Sequence, residues 1–321
     1  MTSGGGPPAP RATSDVSHQH DAWVGPALMA TMLVWGLNFP IVKTLTLWFD
    51  TALLASARIV TATAAFWVLL AATRPLRLRL AGRQWLGLAG CAVTMVYLNQ
   101  VLFAGGLHRT GAANGALIMA TSPIVAGLLA TLAFGERLHR RHLGALALGF
   151  GGVAVAVLHR SGAALGSAGL GDLMILGCVV SYSLGGVILQ HLGPRVEMLA
   201  FNTWAYTLGM AMLLLHLVIE QGPSLTLPRV FPGWWPWTLV IVSAVLATTL
   251  TNWLWAVAIA RIGIARATVF VYWVPIFGMA SSALLLGEAL NAWYGLGLAM
   301  VLAGSRLAAG APRRPVTAPP E

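Results

Sequence analysis

The sequence predicts an all-α integral membrane protein with ten transmembrane helices, arranged as two inverted repeats of five helices each. Three observations predict this fold class. Of the 321 residues, 58% are hydrophobic and only 9% are charged, which is more apolar than a soluble domain requires. Runs of about 20 apolar residues, each long enough to cross the hydrocarbon of a bilayer, follow one another with short polar breaks. Finally, one stretch of the chain occurs twice.

The repeated stretch covers residues 98–136 and, 152 positions later, residues 250–288. Of the 39 aligned pairs 11 are identical, whereas about four would be expected by chance in so apolar a chain. Each copy holds two apolar runs joined by a short turn, a proline within the second run, and a final Gly-Glu. Because five predicted helices make up each half, the second half enters the membrane in the opposite orientation. Such inverted repeats face one another across a central site.

The apolar runs read as helices, because they lack the alternating pattern of barrel strands. They lie at roughly residues 23–48, 51–72, 84–107, 111–134, 141–158, 170–191, 197–219, 234–260, 264–286 and 290–309. The first run is too long for the core of a signal peptide. The predicted organisation is a disordered cytoplasmic tail, a first repeat, a linker, a second repeat and a second cytoplasmic tail, at residues 1–22, 23–158, 159–169, 170–309 and 310–321.

The net charge of +10 does not indicate a nucleic-acid partner, because the basic residues sort by loop instead of forming one patch. With the N-terminus in the cytoplasm, fourteen arginines fall on the inner side of the membrane and three on the outer side. The positive-inside rule therefore predicts that both termini are cytoplasmic. Cys91 and Cys178 lie within predicted helices and lack any metal-ligand spacing, so we expect neither a metal nor a cofactor.

The first two predicted helices carry residues that are unusual in a bilayer. Pro40 removes a backbone hydrogen bond, which leaves the carbonyl near position 36 free to bind water, a side chain or a ligand. Lys43 lies toward the outer end, where it either snorkels to the headgroups or responds to an anionic substrate. Arg58 lies about two turns inside the membrane and needs a partner or a wet cavity. It either pairs with Asp50 or contacts the substrate.

Predicted helices 3 and 8 carry polar residues at equivalent positions, Asn99 with Thr251 and Gln100 with Asn252. Polar groups at this depth find partners on other helices or on a substrate, and their paired placement favours a shared cavity.

Predicted helices 4 and 9 contain Pro123 and Pro275 near their midpoints, as expected of a transporter with broken helices. Glu136 and Glu288 follow these helices and are expected to be exposed carboxylates that mark the helix ends.

The candidate substrate-binding residues combine aromatic, amide and hydroxyl side chains. They are Trp35, Asn38, Arg58, Tyr97, Asn99, Gln100, Thr121, Tyr182, Trp204, Asn252, Tyr272 and Trp273. The candidate helix-kink residues are Pro40, Pro123 and Pro275. No motif for an activated nucleophile or a catalytic metal occurs, so we expect no enzyme activity and assign no catalytic residue. Small residues on predicted helices 5 and 10 indicate close packing, either between the halves or between the protomers of a homodimer.

As a set, several short motifs resemble the drug/metabolite transporter (DMT) superfamily, specifically its ten-helix EamA family. They are Trp35-Gly36-Leu37-Asn38-Phe39 with Lys43, Arg58, Pro123 with Gly135-Glu136, Gly171-Asp172, and Pro275 with Gly287-Glu288. The resemblance implies two EamA repeats, a bacterial inner-membrane location and export of amino acids or other small metabolites. The second half departs from this pattern, because Ser183-Leu184-Gly185-Gly186 replaces the Trp-Gly-Leu-Asn of the first helix.

The sequence therefore predicts a secondary transporter that moves a small neutral or zwitterionic solute outward by alternating access. None of the nine acidic residues lies at the middle of a predicted helix, where carriers of lipophilic cations usually need a carboxylate. Two alternatives stay open at this point: a membrane scaffold or receptor without transport, and a transporter of purines or cationic drugs. Energy coupling and oligomeric state are also open.

Overall fold

A computed structural model describes residues 23–73, 82–133, 140–159, 167–192, 197–222, 231–262 and 268–309. Within these ranges the chain forms ten helical rods and no strand. Both predicted tails, residues 160–166 of the predicted linker and the Gly135-Glu136 motif lie outside the described residues.

The first half of the chain forms five rods. They are α1 (Val24–Leu45), α2 (Thr51–Thr73), α3 (Gly82–Cys91, Ala92–Leu98 and Asn99–Arg109), α4 (Ala112–Met119 and Ser122–Ala133) and α5 (Arg140–Leu158). The second half forms five more. They are α6 (Ser167–Leu192), α7 (Met198–Gln221), α8 (Trp234–Ala244, Val245–Leu250 and Thr251–Ile262), α9 (Thr268–Tyr272 and Trp273–Leu286) and α10 (Ala292–Ala309). By length and composition, seven helical stretches of the described residues can cross a membrane, and shorter apolar helices occur in α5 and α9. The fold is that of an all-α membrane protein.

The third helix of each repeat contains a π-helical stretch, Ala92–Leu98 in α3 and Val245–Leu250 in α8. The repeat offset of 152 carries the end of the first stretch onto the end of the second. A π-helical turn widens the helix locally and is frequent at functional sites. The two halves therefore share a local distortion that apolar periodicity does not reveal.

The fourth helix of each repeat is interrupted next to its proline. In α4 a turn at Ala120 and Thr121 separates the two helical segments, and Pro123 lies in the first turn of the second segment. In α9 the 3-10 helix Thr268–Tyr272 precedes the α-helix that contains Pro275. Proline is tolerated in a first helical turn but cannot continue a helix from upstream. Pro40, by contrast, lies inside α1, which continues past it.

Helices of one half pack against helices of the other half: α1 against α9, α3 against α6, α2 against α7, and α5 against α10. The contact of α1 with α9 is close, since a methyl group on Gly36 would lie 2.5 Å from the Cβ of Phe277. The Gly36 carbonyl, freed by Pro40, accepts a hydrogen bond from Ser281 Oγ at 3.5 Å. The two halves are thus interleaved into one bundle.

The small residues of α5 allow close contact with other helices of the same chain. A methyl group added to Gly304 of α10 would lie 2.8 Å from the Ala145 carbonyl oxygen, and one added to Gly149 would meet the side chain of Ile124. On α10 the remaining small residues are exposed, namely Gly295, Ala299 and Ala303. Contact between protomers through this face stays a prediction.

One end of the bundle, which we call the distal end, lies opposite the start of α1 and the end of α10. Here Glu288 is not the exposed carboxylate that we expected, because its oxygens accept the backbone N–H groups of Ala112 at 2.7 Å and Ala113 at 2.8 Å. Gly287 makes this reach possible: it ends α9 with a φ of 66°, a left-handed conformation that glycine adopts without strain. The carboxylate of the second half thus caps the N-terminus of α4 in the first half.

Lys43 acts at the same end. Its Nζ donates hydrogen bonds to the carbonyl oxygens of Leu107 at 2.7 Å and His108 at 3.2 Å, where α3 ends. A cation at the C-terminus of a helix complements the helix dipole. The lysine is therefore engaged with α3, and snorkelling alone does not describe it.

Candidate substrate site

A buried arginine lies at the centre of a polar cluster between the two halves. Arg58 on α2 is only 2% exposed. Its Nη1 donates to Gln100 Oε1 at 2.9 Å, its Nε to Ser243 Oγ at 3.0 Å, and its Nη2 reaches Asn38 Oδ1 at 3.5 Å. Ser243 Oγ in turn donates to Asn38 Oδ1 at 2.8 Å. The cluster joins α1, α2 and α3 to α8.

The expected pairing of Arg58 with Asp50 does not occur. Asp50 Oδ1 instead accepts the backbone N–H of Ala52 at 3.0 Å, in the first turn of α2. Over the described ranges no carboxylate forms an ion pair with Arg58, whose partners are neutral oxygens. Neutral acceptors satisfy the N–H groups of a guanidinium but leave its charge uncompensated. A buried positive charge of this kind is costly and attracts an anionic group.

Two tryptophans stand beside this cluster. Trp35 lies three residues before Asn38 on α1, so the two side chains share a helix face. Its Nε1 donates to Thr251 Oγ1 of α8 at 2.9 Å, and its ring packs against Trp255 with 5.7 Å between ring centroids. These contacts place an apolar aromatic surface next to the polar groups.

On the opposite side of the cluster, α3 contacts α6. Asn99 Nδ2 donates to Cys178 Sγ at 2.9 Å, and Asn99 Oδ1 accepts from Gln100 Nε2 at 3.4 Å. This α3–α6 contact is the repeat counterpart of the α8–α1 contact between Thr251 and Trp35. Both bonds involve the residue that directly follows a π-helical stretch: Asn99 donates in the first, and Thr251 accepts in the second.

Tyr182 lies on α6 and makes no described hydrogen bond to the cluster. It lies near the middle of α6 and is 39% exposed, although Cys178, one turn away, is buried. Tyr182 lies within electrostatic reach of Tyr206, and Tyr206 within reach of Arg58. Val180 and Leu184 on the same helix are exposed to a similar extent, so the exposure of Tyr182 does not identify a cavity wall.

The structure does not bring the other candidate residues into this cluster. The Tyr97 hydroxyl contacts His216 Nδ1 at 2.9 Å, on the side of α3 that faces α7. Thr121 is fully buried, and its hydroxyl donates to the carbonyl of Ile118 within α4. Asn252 turns back to the Thr248 carbonyl of its own helix.

The remaining aromatic candidates lie elsewhere in the bundle. Trp204 packs against Trp67 between α7 and α2, with 5.4 Å between ring centroids, and both rings are partly exposed. Trp273 is 42% exposed and stacks on Phe277. Tyr272 is half-buried and lies within electrostatic reach of Arg306 on α10. Of the three candidate tryptophans, Trp35 is thus the one that lies beside the described cluster, where its ring packs against Trp255.

Sequence reasoning missed Ser243 as a member of the site. It is a single hydroxyl in an apolar run, and its counterpart by the 152-residue offset is Cys91, which is buried and bonded elsewhere. A serine within a transmembrane run usually bonds to the backbone of its own helix, so the sequence alone does not indicate that Ser243 contacts an arginine.

Comparisons with known proteins agree with this architecture. Residues 23–158 and 169–309 match the model of the EamA-like transporter family. The uncharacterized transporter YetK of Bacillus subtilis is 22% identical over 66% of this chain, and the match spans 64% of YetK, less than two thirds of it. The probable amino-acid metabolite efflux pump of Salmonella typhimurium is 26% identical over 86% of this chain and 91% of its own length.

A solved protein crystal structure shares the fold, with a TM-score of 0.63 and 17% sequence identity. The likeness covers 89% of this chain and 97% of that chain. The family model matches both halves of the sequence and thus most of its length. The chain therefore belongs to the EamA-like transporter family, and the relatives that it matches are named as transporters or efflux pumps, not as enzymes.

Proposed function

We propose that the protein exports amino acids or related carboxylate-bearing metabolites by alternating access. One observation carries this proposal: Arg58 is buried where the two halves meet, and its described partners are the neutral oxygens of Asn38, Gln100 and Ser243.

A carboxylate is the ligand group that fits this arrangement. A guanidinium presents planar, paired N–H donors that match a carboxylate, and these charge-assisted bonds are stronger than bonds to neutral acceptors. The amide oxygens of Asn38 and Gln100 offer acceptors for an ammonium group, while Trp35 and Trp255 offer an apolar surface for a side chain. A lipophilic cation would instead meet an uncompensated positive charge. The printed name of the Salmonella relative, an amino-acid metabolite efflux pump, supports the same class of substrate.

Alternating access is supported by the positions of the helix interruptions. The site draws Arg58 from one half and Ser243 from the other, so motion between the halves changes access to it without dismantling either half. The interruptions in α4 and α9 at Ala120–Thr121 and Thr268–Tyr272 provide paired places for such bending.

We further propose that the chain lies in a bacterial inner membrane with the distal end outside. The excess of arginine on the opposite side supports this orientation. Leu47 is 76% exposed at the distal end, and a cysteine placed there should react with a membrane-impermeant thiol reagent added to intact cells. Labelling only after the cells are broken would reverse the orientation.

The substrate is tested by counterflow in proteoliposomes that contain the purified protein. A panel of ¹⁴C-labelled L-amino acids is compared, one by one, with the corresponding amines that lack the carboxylate. We expect at least one amino acid to exchange about tenfold or more faster than its amine, because one charge-assisted hydrogen bond contributes about 1.5–3 kcal/mol.

The Arg58→Met variant should lose that preference, whereas Arg140→Met, which alters an exposed arginine at the start of α5, should keep it. Exchange of amines at the same rate as amino acids would contradict the proposal. So would an unchanged preference in a correctly folded Arg58→Met protein.

A further inference from the structure

The turn between α3 and α4 lies at the distal end of the bundle, against the second half of the chain. Helix α3 ends at Arg109, and the backbone at Thr110 and Gly111 is extended before α4 begins. The start of α6 approaches this turn closely, because a methyl group added to Gly171 would lie 2.8 Å from Arg109 Cβ and 2.9 Å from the Thr110 nitrogen. The turn therefore cannot move without changing its contact with the other half.

Side chains from α6 and α10 of the second half form hydrogen bonds at the same turn. Asp172 on α6 accepts bonds from Thr110 Oγ1 and from Asn114 Nδ2, the latter at 3.3 Å. The Tyr294 hydroxyl on α10 donates to Asn114 Oδ1 at 2.7 Å. All four of these residues are buried. Together with Glu288, which caps the start of α4, Asp172 and Tyr294 form a set of contacts that we call the distal clamp.

An apolar layer lies between the distal clamp and the polar cluster of the candidate site. Phe103 lies three residues nearer to the distal end of α3 than Gln100, and its ring packs edge to face against Phe39 of α1, with 5.6 Å between ring centroids. One turn further along α3, Leu107 is fully buried and would lie 2.7 Å from a methyl group added to Gly115 of α4. Closely packed apolar side chains therefore separate the cluster from the distal end.

The two segments of α4 differ in burial. In the distal segment every residue from 112 to 118 is buried, whereas only three of the 12 residues of Ser122–Ala133 are buried. The interruption at Ala120 and Thr121 lies between the two segments. Because a helix bends most easily where its backbone ladder is interrupted, the distal segment can change its angle without carrying the rest of α4 with it.

We propose that the turn between α3 and α4, with the segment Ala112–Met119, is the distal gate of the transporter and is held shut by Asp172, Glu288 and Tyr294. This inference rests on the proposed transport function. The structure is then a state closed to the distal side, and a solute bound at the polar cluster leaves on that side only after the clamp opens. Each bond of the clamp joins the two halves, so separation of the halves at this end breaks all of them.

Hydrogen bonds are suited to a contact that opens and closes repeatedly. When the clamp opens into water, each polar group exchanges a protein partner for water, so the net contribution of each bond is modest. The balance between the closed and the open state therefore depends on a few bonds, and removal of one partner shifts it toward opening. In Tyr294→Phe, for example, Asn114 Oδ1 loses its donor in the closed state, whereas water reaches it in the open state.

Thiol labelling in detergent solution tests the gate without requiring transport. Leu107→Cys places a thiol between the clamp and the polar cluster, and its reaction with a polar maleimide is followed by peptide mass spectrometry. Adding Glu288→Gln and Tyr294→Phe should accelerate labelling at position 107 about tenfold, because the two changes together remove about two hydrogen bonds. Adding Glu197→Gln instead, which alters a cap within α7, should leave the rate unchanged.

Cys91 reports unfolding in the same samples, because it is buried where the first segment of α3 ends and should stay unlabelled in folded protein. Equal labelling at position 107 in the clamp variant and in Glu197→Gln would overturn the gate. Rapid labelling of Leu107→Cys with the clamp intact would also overturn it, since the distal side would then be open already.

A reversible cross-link tests the role of the gate in transport. Thr110→Cys with Asp172→Cys places two thiols where a hydroxyl and a carboxylate now bond, and oxidation should join them. We expect the disulfide to abolish counterflow of L-amino acids and its reduction to restore counterflow, whereas the oxidant should not affect either single variant. Failure of the pair to cross-link, or counterflow that continues with the disulfide formed, would contradict the gate. Absence of counterflow in the wild type, with labelling as expected, would contradict the proposed function alone.

Discussion

The equivalent positions of α3 and α8 show how far the two halves agree and where they differ. Directly after each π-helical stretch, Asn99 bonds to Cys178 of α6 and Thr251 bonds to Trp35 of α1, so each bond joins the two halves. At the next position the halves diverge. Gln100 accepts from Arg58, whereas Asn252 donates to the backbone of its own helix.

This difference distinguishes the features that both halves share from the polar cluster around Arg58, which they do not share. Helix pairing, π-helical stretches and proline-associated interruptions occur in both halves, and these are the features that an alternating motion requires. The buried arginine Arg58 has no counterpart on α7, the equivalent of α2, because α7 contains neither lysine nor arginine. The scaffold is nearly symmetric, but the proposed substrate site is not.

The largest expected effect tests this asymmetry directly. Replacing Gln100 by leucine removes an acceptor of the Arg58 guanidinium, and a hydrogen bond to a charged group is worth about 1.5–3 kcal/mol. We expect counterflow of L-amino acids to fall about 10- to 100-fold. The equivalent change Asn252→Leu should alter the rate by less than about threefold, since Asn252 bonds to its own helix. Equal losses in the two variants would show that the site is symmetric.

The second prediction concerns the interleaved packing. Gly36→Ala places a methyl group 2.5 Å from Phe277 Cβ and 2.8 Å from the Gly278 nitrogen, so α1 and α9 must separate. We expect a loss of about 1–3 kcal/mol in stability, seen as a lower melting temperature in detergent. Gly186→Ala on α6 meets no atom within 4 Å and serves as the control. Its melting temperature should stay equal or rise, because alanine favours helix.

The third prediction compares two glutamate caps. Glu288→Gln and Glu197→Gln each remove the charge from a pair of bonds to helical N–H groups, at a cost of about 1 kcal/mol. Glu197 caps its own helix α7, whereas Glu288 links α9 to α4. Hydrogen exchange at the first turn of α4 should therefore accelerate in Glu288→Gln alone. Unchanged exchange there would show that Glu288 does not hold the two halves together.

The smallest effect concerns the paired cross-links. A double-mutant cycle of Trp35→Phe with Thr251→Val should yield a coupling energy of about 1 kcal/mol, as for a neutral hydrogen bond. The cycle of Asn99→Ala with Cys178→Ala should give less, because sulfur is a weak acceptor. A coupling energy near zero in the first cycle would show that the hydrogen bond between Trp35 of α1 and Thr251 of α8 does not contribute to stability.

Much of the fold followed from the sequence, because hydropathy and the 152-residue repeat reflect properties of whole helices. The assignment of the family, the all-α membrane fold and the transporter class are confirmed by the family match and the helical architecture. The π-helical stretches escaped prediction, since one extra residue in a helical turn leaves an apolar run unchanged in length and composition.

The candidate site was less predictable, because side-chain partners depend on helix rotation. Arg58, Asn38 and Gln100 were recognised as costly polar groups, yet the nearest acid in sequence, Asp50, turned out to cap its own helix. Trp204 was a candidate substrate-binding residue like Trp35, but its ring packs against Trp67, away from the cluster. Glu288 looked exposed because the N-terminus that it caps belongs to the other half of the chain.

The packing of α1 against α9 also affects how the protein is made. Gly36 and its contact Gly278 are separated by 242 residues, so the ribosome adds the second on the order of 10 to 50 s after the first, at about 5–20 residues per second. During that interval the Gly36 groove and its freed carbonyl have no native partner. The packing surface of α1 around Gly36 is thus completed late in the synthesis of the chain.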